Sequence, residues 1–342
     1  MLFPMDIGID LGTASTLIYV KGKGIVLQEP TVVAIERDSN RILAVGEEAQ
    51  RMIGRTPGNI VAIRPLQNGV IADYDITEAM LKHFVSKICG KRLFFRPRIM
   101  VCIPSGVTTV EKRAVLEATM RAGARKTYLI EEPLAAALGA NLDISEPSGN
   151  MVVDIGGGTT DIAVLSLGGV VLSESLRIGG DHMDDSIIRY IKRVYNLMIG
   201  ERTAEEVKIT IGTADPDGRR KSAEVRGRDL VTGLPKNIKI TSEETFEAMV
   251  EPICNIVNGV RLVLEKTPPE LAADIMDKGI VMTGGGTLLH GFDRRLAKET
   301  GIPINIAEDA ISCVARGTGL ALDFVEDIKG HVTSLRRAIS RQ

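Results

Sequence analysis

Apolar and polar positions alternate in short runs through the first 45 residues, then change to helical spacing. Runs at 5–11, 15–20, 25–28, 31–36 and 42–45 predict strands. Ile76, Met80, Leu81, Phe84, Val85 and Ile88 recur every three or four positions and predict a helix with Thr77 near its start. An apolar strand at 98–103 is closed by Pro104. A helix at 110–122 and a strand at 128–130 follow, and Pro133 stands where a helix through Leu138 can begin. The Ser-Glu-Pro-Ser-Gly stretch at 145–149 reads as the crossing between two halves. The second half restarts with strands at 151–155, 161–167 and 169–176, broken by Gly179-Gly180. Helices are predicted at 184–199, 204–210, 243–265, 288–299 and 309–326, and strands at 279–283 and 303–306. Residues 213–240, rich in charge, Gly and Pro, predict a small outer subdomain with strand-like pieces. The whole is a mixed α/β pattern.

One short pattern occurs twice. Residues 10–20 read Asp-Leu-Gly-Thr-Ala-Ser-Thr-Leu-Ile-Tyr-Val, and residues 154–164 read Asp-Ile-Gly-Gly-Gly-Thr-Thr-Asp-Ile-Ala-Val. Each places an Asp at the end of an apolar run, then a turn of small residues, then a second apolar run. That is a β-hairpin with a carboxylate at its mouth. Two copies roughly 144 residues apart suggest two related half-domains facing one ligand. Backbone N–H groups in such turns can cradle phosphates. Asp10 and Asp154 can hold a hydrated Mg²⁺ that neutralises them. The pattern points to a nucleoside triphosphate, although the chain contains neither G-x-x-x-x-G-K-[ST] nor a full G-x-G-x-x-G.

Composition narrows this further. At 342 residues the chain suits two lobes. A net charge of −2, 4% aromatic residues and no Trp argue against nucleic acid as a partner. Cys89, Cys102, Cys254 and Cys313 form no Cys-x-x-Cys pair, so reduced thiols in a cytosolic protein are expected rather than a zinc site. Asp6 and Asp10 interrupt the first apolar stretch, so no signal peptide is expected there. Residues 162–173 are too short to span a bilayer.

Five segments occur in an order that resembles the actin/Hsp70/sugar-kinase superfamily. They are the two hairpins, the third glycine turn Met282-Thr283-Gly284-Gly285-Gly286-Thr287, the segment Ile130-Glu131-Glu132-Pro133-Leu134-Ala135-Ala136-Ala137 and the segment Ser312-Cys313-Val314-Ala315-Arg316-Gly317-Thr318-Gly319. Within that superfamily the whole chain resembles the MreB-type bacterial actin homologues, MreB and close paralogues such as Mbl. Asp6-Ile7-Gly8-Ile9-Asp10-Leu11-Gly12-Thr13, Gly22-Lys23-Gly24-Ile25-Val26, Gly69-Val70-Ile71-Ala72-Asp73, Gly200-Glu201-Arg202-Thr203-Ala204-Glu205 and Lys266-Thr267-Pro268-Pro269-Glu270-Leu271 carry that likeness.

The resemblance implies an actin-like ATPase fold, α/β, with two RNase H-like lobes around a nucleotide cleft and a smaller outer subdomain on each. Subdomain IA would take 1–31, 74–146 and 318–342, and IB 32–73. IIA would take 147–183 and 245–317, and IIB 184–244. It implies an ATP- and ADP-binding weak ATPase with Mg²⁺. Its filaments would lie in the cytoplasm at the inner face of the cell membrane. There they would maintain rod shape by organising peptidoglycan synthesis with partners such as MreC, MreD and RodZ.

By the same resemblance, Gly12, Thr13, Ala14 and Ser15 would hold the β-phosphate side, and Gly156, Gly157, Gly158 and Thr159 the γ side. Gly284, Gly285, Gly286 and Thr287 would pack under adenine and ribose. Glu132 would orient the attacking water, a task Thr159 or Thr160 could share. Its plainer reading is a surface carboxylate favoured by a helix start. Glu205 and Lys208 would lie against the ribose and adenine, or else form an i,i+3 ion pair of little worth.

Residues 91–98, Lys-Arg-Leu-Phe-Phe-Arg-Pro-Arg, set Leu93, Phe94 and Phe95 among four cations with no acid. Apolar insertion plus attraction to anionic lipid makes this a candidate membrane anchor; a strand approach with a buried Phe is the alternative. Two rival functions remain on the same fold: a small-molecule kinase, and a nucleotide-gated protein that forms no filament.

Overall fold

The computed structural model describes residues 5–90, 96–325 and the backbone of 333–334. The candidate anchor Leu93, Phe94 and Phe95 lies outside the described residues, as do residues 1–4 and the C-terminal cations.

The first half runs β1 (Asp6–Leu11), β2 (Ser15–Val20), β3 (Gly24–Pro30), β4 (Val33–Glu36), β5 (Ile42–Val45), α1 (Glu47–Met52), β6 (Ile60–Ile63), β7 (Leu66–Gln67), β8 (Val70–Ile71), α2 (Tyr74–Cys89), β9 (Arg98–Ile103), α3 (Thr109–Arg121), β10 (Lys126–Glu131) and α4 (Glu132–Gly139). The second runs β11 (Asn150–Ile155), β12 (Thr160–Ser166), β13 (Gly169–Leu176), α5 (Gly180–Tyr195), β14 (Leu197–Met198), α6 (Glu201–Ile211), β15 (Ser222–Asp229), β16 (Pro235–Thr241), α7 (Ser242–Lys266), α8 (Pro269–Lys278), β17 (Ile280–Thr283), α9 (Phe292–Thr300), β18 (Ile304–Ile306) and α10 (Cys313–Leu320). A backbone pair, β19 (Thr333–Ser334), returns to the first sheet beside β10.

The repeat in the sequence is a repeat in topology. One sheet is ordered β19-β10-β9-β1-β2-β3 and the other β13-β12-β11-β17-β18. In each, three antiparallel strands are followed by two parallel neighbours: β1 pairs β9 and β9 pairs β10 as β11 pairs β17 and β17 pairs β18. Each lobe carries a small three-stranded sheet, β5-β4-β6 on the first and β14-β15-β16 on the second.

Strand alternation decides where every side chain goes, because successive residues face opposite sides of a sheet. On one face of the first sheet Ile7, Ile9, Ile99, Val101 and Leu129 join a core with α2 and α3. On one face of the second, Met151, Val153, Ile162 and Val164 join a core with α5 and α7. The opposite faces meet in a third core that contains Met100, Cys102, Ile130, Val152, Leu165, Leu134 and Val314. This shared core is built around α4 and α10, the helices that carry the chain from one lobe to the other and back. By the same parity Asp10, Cys102, Asp154 and Asp161 all fall on the faces turned toward the lobe junction.

Several boundaries differ from the sequence pattern, each for a local reason. The helix expected at 184–199 is α5, which starts at Gly180 because the N–H groups of Gly180 and Asp181 donate to Gly156 O and Gly157 O. It stops before Asn196, which is left-handed at φ 52°. The helix expected at 288–299 divides into a 3₁₀ turn, Gly285–Leu288, and α9, separated by Gly291 at φ 74°. The long closing helix expected at 309–326 contracts to α10, preceded by Asp309 at φ 54°. The pattern assigns no element to α1, β6 or α8. In α8 only Ile275 is buried, so its apolar stripe is too thin to register. Among the described residues no helix is long and apolar enough to cross a membrane.

Candidate functional site

A cleft of about 750 Å³ opens between the two sheets. Of the residues singled out from the sequence, Asp10, Gly12, Thr13, Ala14, Ser15, Glu132, Asp154, Gly156, Gly157, Gly158, Thr159, Glu205, Lys208, Gly284, Gly285 and Gly286 line it. Thr160 and Thr287 do not. Thr160 has the parity of Ile162 and Val164, is fully buried, and donates its hydroxyl to Ile178 O at 2.7 Å. The Thr287 hydroxyl donates to Gly284 O at 2.7 Å and braces the third glycine turn from within.

The two hairpin tips meet head to head. Thr31 steadies the first by donating its hydroxyl to Gly12 O at 2.7 Å, and Thr13 Oγ1 accepts from Gly69 N at 2.9 Å. The second is closed by Gly156 N donating to Thr159 O at 2.9 Å. A Cβ on Gly157 would sit 2.5 Å from the Ala14 Cβ, and one on Gly158 2.5 Å from Thr13 Oγ1. These two positions therefore exclude any side chain. The third turn presses on β11 in the same way, since a Cβ on Gly286 would lie 2.3 Å from Ile155 Cγ2.

Four carboxylates surround the base of the cleft. Burial, then the charge of Asp154, pushes Asp10 up to about 7, partly offset by the thiol of Cys102 at 3.3 Å. Burial pushes Asp154 up to about 6 against the hydroxyl of Thr283, which donates to its Oδ1 at 2.6 Å. Burial also raises Asp161 to about 7. Glu132, at the start of α4, is held well above the carboxylate range by burial and then by the charges of Asp161, Asp10 and Asp154. Four buried carboxyls with no Lys or Arg of the described residues among them make a donor set suited to a bound cation, which would favour their ionised forms. Among the described residues no three His, Cys, Asp or Glu side chains form a direct metal cage. A cation here would accordingly be held largely through water and ligand oxygens.

The far end of the cleft is more apolar, lined by Ile209, Leu288, Leu289 and Ile311. Lys208 makes no i,i+3 pair with Glu205. Its ammonium donates to Asp184 at 2.7 Å and to Gly180 O at 3.0 Å, tying α6 to the start of α5. Burial raises Asp184 to about 7 although Lys208 pulls the other way.

Cys102, Thr283 and Asp161 stand behind the cleft lining, in contact with its carboxyls; Thr283 lies in the third glycine turn and Asp161 in the second hairpin, yet the sequence pattern marks none of the three as a site residue. Strand parity is the signal that could have found them. Cys102 precedes Pro104 on the junction face of β9, and Thr283 is paired in register with Asp154.

A family model described as MreB/Mbl protein matches residues 4–330. The chain is 56% identical over 327 residues to the cell shape-determining protein Mbl of Bacillus subtilis, covering 96% of this chain and 98% of that one. It is 54% identical over 331 residues to the cell shape-determining protein MreB of Escherichia coli, covering 95% of each. The crystal structure of MreB 5 of Spiroplasma citri bound to AMPPNP superimposes with a TM-score of 0.91 at 39% identity, covering 96% of this chain and 99% of that chain. The ADP-bound crystal structure of MreB5 of Spiroplasma citri gives 0.89 at 40% identity, over 94% and 98%. The MamK double helical filament shares the fold, with a TM-score of 0.79 at 21% identity over 93% and 98%.

Proposed function

The chain belongs to the MreB/Mbl family of cell shape-determining proteins, and from that premise we propose that it is an ATP-binding, actin-like cytoskeletal ATPase. Its filaments would lie against the inner face of the cytoplasmic membrane and organise cell-wall synthesis. The observation that carries the nucleotide reading is the head-to-head pair of hairpin tips, Ala14 against Gly157 and Thr13 against Gly158. Both tips line the cleft, and the backbone amides of such turns can cradle phosphates. The nucleotide-bound relatives support ATP and ADP as its occupants.

In this reading Gly12, Thr13, Ala14 and Ser15 hold the β-phosphate, and Gly156, Gly157, Gly158 and Thr159 hold the γ-phosphate. Ile209, Leu288 and Ile311 enclose the base, and Gly284, Gly285 and Gly286 let the backbone approach the nucleoside. Glu132 orients the attacking water, a task the Thr159 hydroxyl, also in the cleft lining, can share. Asp10 and Asp154 would hold a Mg²⁺, largely through water, and the ion would supply positive charge against the phosphates. Thr160 is reserved for bracing β12 and Lys208 for joining α5 to α6. We assign the four subdomains the boundaries expected from the sequence.

The membrane contact is assigned to Leu93, Phe94 and Phe95, and many such contacts along one filament would act through avidity. MreC, MreD and RodZ are proposed as partners on the strength of the family. Sedimentation of the purified chain with ATP and Mg²⁺, and with liposomes, tests the reading. Nucleotide-dependent pelleting with phosphate release is expected, and persistent monomers that release no phosphate would overturn it. Phe94→Ser with Phe95→Ser is expected to abolish liposome pelleting and leave ATP binding intact. Unchanged pelleting would remove the anchor.

A further inference from the structure

Phosphate binding gives Asp161 no task, yet it is a fully buried acid behind the cleft lining, next to Glu132. It stands on β12 in the second lobe. Its Oδ1 accepts from the backbone N–H of Ser105 at 2.8 Å, and Ser105 follows β9 in the first lobe. One side chain thus grips the backbone of the opposite lobe. Its carboxyl also meets the side chains of Ser175 and Glu132, and the Glu132 contact raises Glu132 while lowering Asp161.

A fully buried carboxyl that is held by groups from both lobes calls for an explanation. The neighbouring groups suggest one. Among the acids that raise Glu132, after burial, Asp161 acts most strongly. Asp161 also follows Thr159 by two residues, so it rides on the hairpin that carries the γ-phosphate amides. Ser105 lies at the end of β9, whose neighbour β10 runs directly into Glu132. The chain of contacts therefore leads from the second phosphate hairpin, through Asp161 and Ser105, to the strand ends beside Glu132.

We propose that Asp161 is a positioning residue: it spans the lobe junction and fixes Glu132 relative to the second phosphate hairpin, coupling lobe closure to the orientation of the attacking water. This rests on reading the cleft as an ATPase site. A purely structural strut would stabilise the fold without acting through Glu132, so the test is a double-mutant cycle.

Full-length wild type, Asp161→Val, Glu132→Ala and the double variant are compared for binding of a fluorescent ATP analogue and for phosphate release. Val fills the site and suits a buried strand; should it not fold, Asp161→Ala carries the same cycle. Asp161→Val is expected to slow release at least about tenfold while the analogue's Kd stays within about threefold. In the Glu132→Ala background it is expected to change release less than about twofold. Asp161→Asn keeps the acceptor for Ser105 and is expected to restore most of the lost rate. Losses that multiply in the double variant, or an Asn variant as slow as the Val variant, overturn the role of Asp161. Wild type that fails to bind the analogue overturns the ATPase reading instead, and the two failures are distinct.

Discussion

At the scale of single residues the cleft is governed by close approach and by buried charge. A methyl on Gly157 would collide with the Ala14 Cβ at 2.5 Å, so Gly157→Ala should force the hairpin tips apart. We expect ATP affinity to fall at least about tenfold, about 1.4 kcal/mol, in a titration with a fluorescent analogue. Buried acids predict a pH dependence with a definite sign. Asp10 and Asp161 at about 7 and Asp154 at about 6 retain protons in the folded state that the unfolded chain releases near 4. The folded state binds more protons across that window, so nucleotide-free stability should decline as pH rises from about 4 to 7. Thermal melts without ligand should show Tm falling over that range, and the gain from Mg²⁺ and ATP should grow with pH. A ligand-free Tm that climbs with pH would contradict the assignment. The Asp and Gly positions of the site were legible because their types repeat in both halves. Thr160 was misleading because type alone does not say which face of a strand a residue occupies. Its parity with Ile162 turns it into the second-lobe core, whereas Asp161, one position later, faces the junction.

At the scale of elements, strands were easier to read than helix ends. β1, β2 and β11 are bounded by abrupt changes of residue type, whereas α5 begins at Gly180 only because two carbonyls from a distant hairpin accept its first N–H groups. No local pattern carries that information. The two joining helices illustrate the same limit. A Cβ on Gly317 of α10 would lie 1.8 Å from Ala135 O of α4, and one on Gly139 of α4 1.8 Å from Cys313 O. The glycines are visible in the sequence, but their purpose, to let two helix backbones touch, depends on the crossing. Gly317→Ala should destabilise the protein by about 3 kcal/mol through overpacking, read as a lower midpoint in urea with little change in slope. A midpoint unchanged from wild type would mean that the helices separate at little cost.

At the scale of the molecule, two sheets of like topology share one core, with α2 and α3 on the outer face of the first and α5 and α7 on the outer face of the second. The ion pair Arg64–Glu201, at 3.8 Å, bridges the rims of the two lobes. Glu201 is well exposed, so the pair should contribute under about 1 kcal/mol. Arg64→Ala should accordingly raise the nucleotide dissociation rate by no more than about fivefold, measured by chase with unlabelled ATP, and the effect should shrink at high salt.

The glycine crossing of α4 and α10 has a mechanical meaning. Backbones in direct contact resist sliding but can turn about the point of contact, so the cheapest motion left to the lobes is a rotation with one degree of freedom. The proposed phosphate site, whose lining includes Glu132 of α4 and Val314 of α10, would sit on the short arm of that lever. The small sheets β5-β4-β6 and β14-β15-β16 sit on the long arms. A displacement too slight to matter at a phosphate becomes a larger sweep at the rim, and a row of such subunits would add those sweeps together as curvature.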